Sequence, residues 1–129
     1  ALEGMAARLA AEHITEAELA ELKRAVDARE EIHMIIVRAS RNERLNTLIG
    51  ERHFELLRKF RNDFPQMQSG GDDSYFEHEM LYHALAQRDG DLAETIMRRH
   101  IVRIRKSLTS RFRASASDVP PRRAVAVAE

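Results

Sequence analysis

The chain has 129 residues and a mass of 14.8 kDa, enough for one domain with one core. Its 21 Lys and Arg balance 21 Asp and Glu, which removes any whole-molecule electrostatic case for nucleic-acid binding. The absence of cysteine excludes disulfides, thiol nucleophiles and cysteine zinc sites, and five Gly with three Pro argue against a turn-rich β fold. No apolar run approaches the roughly 20 residues that span a bilayer, so a soluble, cytoplasmic, helical domain is expected.

From Leu2 to Glu12 the chain is rich in Ala and Leu, and Leu2, Met5, Ala6, Leu9 and Ala10 recur at helical spacing as one apolar face. Thr15 with Glu18 reads as a capping box that opens a second helix. Its stripe of Leu19, Leu22 and Val26 passes into Ile32, Ile35, Ile36 and Ala39, so the pattern allows one unbroken helix to Ala39. Ser40 with Glu43 forms another capping box, and Asn42 is an equally good N-cap. Helical spacing continues from Glu43 to Asn62, where Gly50 predicts a bend and Phe64-Pro65 an end.

Gln66 to Asp73 is the clearest loop. Ser74 and Glu77 then cap a helix with Phe76, Met80, Leu81, Ala84 and Leu85 inward. In the turn Asp89-Gly90-Asp91, Gly90 suits a left-handed cap and Asp91 with Glu94 a further N-terminal box. The last helix holds Leu92, Ile96, Met97, Ile101, Ile104 and Leu108 inward until the periodicity stops near Arg113. These patterns predict an all-α antiparallel bundle of about six helices, with residues 1–113 as one helical domain and 114–129 as a disordered tail.

His33, His78 and His100 each stand beside an apolar stripe on a different helix, which is how bundle interiors assemble metal sites. The alternative is three half-buried rings with ordinary hydrogen bonds. His78 and His83 are five apart, about 140° around a helix, so they do not reproduce the two-histidine motif of zinc proteases. His83 is expected to pair with Glu79 or face solvent. Arg98, Arg99, Arg103, Arg105, Lys106, Arg111 and Arg113 read as a solvated helix end favoured by the macrodipole, not as a phosphate site. The same holds for Arg58, Lys59 and Arg61, unless one of them turns inward to clamp a carboxylate. There is no Gly-rich phosphate loop and no nucleophile elbow, and covalent catalysis has no visible candidate.

Leu2-Glu3-Gly4-Met5-Ala6-Ala7-Arg8-Leu9-Ala10-Ala11 resembles the opening helix of the ligand-sensing C-terminal (FCD) domain of GntR-type transcription regulators, FadR subfamily. Ile32-His33 with Val37-Arg38-Ala39-Ser40-Arg41-Asn42 is similar to that family's Phe-His…Ala-Ser-x-Asn block. Glu77-His78 with Ala84-Leu85-Ala86-Gln87-Arg88-Asp89-Gly90-Asp91 resembles its Glu-His…Gly-Asp block, and Ala93 through Met97 to His100 its closing Ala…Met-x-x-His pattern. The resemblance covers about residues 1–110. It implies an all-α homodimer that binds a small carboxylic acid in a central cavity, where many members hold a divalent metal with one Asp and three His.

Carried over residue by residue, the metal ligands are His33, His78 and His100, with zinc or nickel as the expected metal. The family's Asp falls on Arg29, which cannot ligate a metal; Glu30, three residues before His33, is on a compatible face to substitute. Arg29, His33, Asn42, Arg58, His78 and His100 form the expected effector-binding set. The segment between Leu22 and His33 is shorter than the family's usual connection by roughly a dozen residues. Family members also carry an N-terminal winged-helix domain, absent from this sequence. The resemblance therefore implies the sensing half of a bacterial regulator, reaching DNA only through that other domain and having no membrane partner. Two other readings compete: a metal-dependent enzyme using the three histidines, and a purely structural helical module.

Overall fold

The computed structural model describes residues 1–50 and 71–117, with positions 55, 58, 59 and 62 between them. Among these, six helices follow one another: α1 (Leu2–His13), α2 (Glu16–Asp27), α3 (His33–Ala39), α4 (Glu43–Ile49), α5 (Gly71–Ala86) and α6 (Gly90–Ser117). The described residues contain no strand, and the chain is the all-α bundle its periodicity predicts.

Three antiparallel pairings set the layout. On α1, Arg8 meets Glu94 of α6 at 2.9 Å, while Gly4 abuts the side chain of Arg98. Near the start of α5, Ser74 and Glu77 both accept hydrogen bonds from Arg103 of α6. Along α2, Arg29 beyond its end reaches Asp72 at 3.0 Å, and Lys23 lies 3.9 Å from Glu79. Thus α5 lies between α2 and α6, and α6 between α5 and α1. Ala6, Ala7, Ala10 and Ala11 are fully buried on α1, and such small side chains let its axis approach its neighbours closely. Gly90 serves the same contact, since a Cβ there would stand 3.1 Å from the Arg8 carbonyl oxygen.

The core is built around Leu22, Ile32, Ile36, Leu81, Leu85 and Met97, all with almost no exposed surface. Each such side chain contributes roughly 1.5–3 kcal/mol on leaving water. A smaller cluster of Ala6, Val37, Leu45 and Ile49 packs with Leu9 and Met34 on the other side of α3.

The structure differs from the sequence pattern mainly at helix ends. The stretch from Glu16 to Ala39 is not one helix. It breaks after Asp27, where the Arg29 N–H donates to the Val26 carbonyl and the Glu30 N–H to the Ala25 carbonyl. That pair of bonds is the Schellman motif, and Arg29 takes its left-handed position at φ 56°. Arg88 does the same at φ 58° after α5, so Arg88 and not Gly90 is the left-handed residue of that turn. Arg41, at φ 54° after α3, is the third. Non-glycine residues there cost energy, and each guanidinium finds a tertiary partner that offsets it: Asp72 for Arg29, Glu18 for Arg41, and the Ile14 carbonyl for Arg88.

The Thr15–Glu18 capping box is present as expected. At α4, Asn42 is the N-cap and accepts from the Leu45 N–H at 3.0 Å; Ser40 instead donates its hydroxyl to the Val37 carbonyl. Gly50, at φ 37°, ends α4 where a bend in a longer helix is expected. Phe64-Pro65 and the loop from Gln66 to Gly70 lie outside the described residues. α5 begins at Gly71, so Ser74 sits inside its first turns and does not cap it.

Leu2, Met5, Phe76, Met80 and Leu92, expected inward, are each more than 40% exposed. Asp89, not Asp91, caps α6 by accepting from the Leu92 N–H at 2.9 Å. α6 then continues past Arg113 to Ser117, and the rest of the expected tail lies outside the described residues. No helix among the described residues is long and apolar enough to cross a membrane.

Candidate metal centre

Three helices each bring one imidazole to a common point. The break at Ala28–Ile32 lets α3 start at His33, whose N–H donates to Glu31 Oε1 at 2.5 Å and so anchors the first residue of the helix. His78 lies in the second turn of α5, and His100 lies on the face of α6 that meets it. Ring centroids are 5.9 Å apart for His33 and His78, 5.2 Å for His33 and His100, and 4.7 Å for His78 and His100. One donor atom from each of the three lies within 4.8 Å of the others, the one such group of histidine and acidic residues among the described residues. His33 and His100 are buried, at 8% and 1% exposure, and His78 is partly buried.

The geometry suits a small cation. The Nε2 atoms of His78 and His100 are 3.2 Å apart. Two nitrogens on one tetrahedral zinc, each at about 2.0–2.1 Å, stand about 3.3 Å apart. Burial pushes the His100 pKa down, against the pull of Glu77, which favours the neutral ring that a metal requires.

Carboxylates from three segments surround the rings. Glu77 Oε2 lies 2.5 Å from His100 Nδ1, which aims the Nε2 of that ring at His78. Arg103 grips both oxygens of Glu77 at 2.7 Å and also donates to Ser74. Burial alone would raise the Glu77 pKa, but the bonds from Arg103 and His100 outweigh it and hold the carboxyl below its ordinary value. On the far side, Glu3 Oε2 is 3.9 Å from His33 Nδ1. Burial first, and then the nearby charge of Glu31, push Glu3 up to about 7. Glu31 is also felt at His100, so the linker before α3 adds a third negative group.

The other expected site residues stand elsewhere. Arg29 is exposed, paired with Asp72 and stacked 4.8 Å over the Tyr75 ring, because the left-handed end of α2 turns it outward. Glu30 is exposed beside it in the same helix end, and its backbone N–H completes the Schellman motif. Asn42 spends its side chain on the α4 cap, and Arg58 occupies an exposed helical position. His83 is exposed, as expected.

Sequence reasoning missed Glu3, Glu31 and the bond of Arg103 to Glu77. Two signals were there. Glu3 shares a stripe with Ala6, Ala7 and Ala10 at helical spacing, an odd place for a charge on an apolar face. Arg103 lies one turn beyond His100, on the same side of α6.

Fold and site together define an all-α helical domain with a largely buried three-histidine cluster. The sequence matches the family model of the FCD domain over residues 1–103, and the chain belongs to that family. It is a ligand-sensing regulatory domain of the GntR type. No curated protein matches the sequence.

Proposed function

We propose that the chain is the effector-binding and dimerisation domain of a cytoplasmic bacterial transcription regulator of the FadR subfamily. In it, His33, His78 and His100 hold a divalent metal, zinc or nickel, that helps capture a small carboxylic acid. The convergence of the three imidazoles carries this reading. The carboxylates around them support it: Glu77 holds His100 and Glu3 stands beside His33, an arrangement that favours a cation. Arg29, turned towards Asp72, does not oppose a cation. Once bound, the metal supplies a Lewis acid for a carboxylate oxygen of the effector.

The apolar side chains exposed on α1 and α5, Leu2, Met5, Phe76 and Met80, support association with a second copy. DNA is reached through a winged-helix domain, whose placement the effector would bias by binding one arrangement more tightly than another. The reading is one of sensing and not turnover. Metal analysis of natively purified protein, with mass spectrometry of co-purified acids, tests it. The expected result is about one metal per chain together with a small acid. A protein that holds neither, and takes up neither zinc nor nickel when offered them, defeats the reading.

A further inference from the structure

We infer that Glu3 is a positioning residue of the metal centre, holding His33 from α1 as Glu77 holds His100 from α5. This rests on the metal-binding reading above. Glu3 Oε2 is buried and has no hydrogen-bond partner among the described residues. A buried carboxylate oxygen without a partner is costly, and packing offers no reason for one on the alanine face of α1. Its near neighbour is His33 Nδ1, 3.9 Å away, so a shift of about 1 Å makes a hydrogen bond.

Metal-bound imidazoles commonly donate their second N–H to a carboxylate, which fixes the tautomer and strengthens the ligand. His100 already has that arrangement with Glu77 at 2.5 Å. A cation on His33 makes its other N–H a stronger donor, one that the carboxylate of Glu3 is placed to accept. The family's acidic position offers no substitute here, since Arg29 occupies it and faces Asp72. Glu3 therefore ties α1, the main partner of α6, to the state of the centre.

The test is zinc calorimetry and cobalt(II) absorption on the full chain, comparing wild type with Glu3→Gln and Glu30→Gln. Glu3→Gln is expected to bind zinc roughly 10–100-fold more weakly and to shift the cobalt spectrum. Its metal-free melting temperature should be no lower than that of wild type, and Glu30→Gln should match wild type throughout. Wild-type zinc affinity and spectrum in Glu3→Gln overturn the inference while leaving the histidine centre intact. A lowered metal-free melting temperature in Glu3→Gln also overturns it, by making the residue structural. Failure of the wild-type chain to bind zinc overturns both this inference and the reading beneath it. Should Glu3→Gln not fold, Glu3→Asp withdraws the carboxylate by one methylene: weaker zinc binding upholds the inference, and unchanged binding overturns it.

Discussion

Arg41 and Glu18 meet through two parallel hydrogen bonds, of 2.7 and 2.9 Å, that join the end of α3 to the start of α2. The bonds from Arg41 are the main reason the Glu18 carboxyl lies below its ordinary pKa of 4.5, with Thr15 adding to them against the opposing effect of burial. Because the folded pKa is the lower one, the stabilisation is complete above the unfolded value and is lost as pH falls through the folded value. Glu18→Gln preserves a side chain able to cap and removes only the charge. Thermal melts from pH 7 downward should show a lower melting temperature at neutral pH and a shallower loss below about pH 4.5 than in wild type.

Leu22 is fully buried between α2 and the rest of the core. Leu22→Ala should cost about 2–5 kcal/mol in denaturant titrations, through lost burial and a cavity that rigid neighbours cannot close. Substitution of exposed Leu48 by Ala should change stability by less than about 0.5 kcal/mol.

His78→Ala should abolish zinc uptake measured by calorimetry, because it removes one of three nitrogens that share one point. His83→Ala, five residues on and exposed, should leave uptake unchanged. Equal loss in both variants would contradict the geometry of the cluster.

Arg29→Gly should leave zinc affinity unchanged, since Arg29 is directed at Asp72 and Tyr75. Its stability should stay within about 1 kcal/mol of wild type: glycine relieves the left-handed backbone while an exposed ion pair is lost. A large gain in zinc affinity would mean that the guanidinium opposes a cation at the centre.

The three histidines were legible because each lies beside an apolar stripe and the same three match the family's ligand positions. The outward turn of Arg29 was not. Left-handed helix ends are normally read from Gly or Asn, whereas Arg29, Arg41 and Arg88 take that conformation and are held by tertiary partners. The exposure of Phe76 and Met80 was hidden for a related reason: helical spacing identifies an apolar face without saying which neighbour covers it. Glu77 was visible as part of a familiar string, but its work depends on His100 and Arg103, 23 and 26 residues away, and no local pattern encodes that meeting.

α6 is a single rod of 28 residues, and His100 lies well inside it. From there to Ser117 the helix extends about 25 Å. A rod pivoting at a ligand turns small angles into displacement: a tilt of about 5° at His100 carries Ser117 through about 2 Å, the size of shift that repacks a subunit interface. Any change of helix angle at His100 would thus be enlarged mechanically along one unbroken element as far as Ser117.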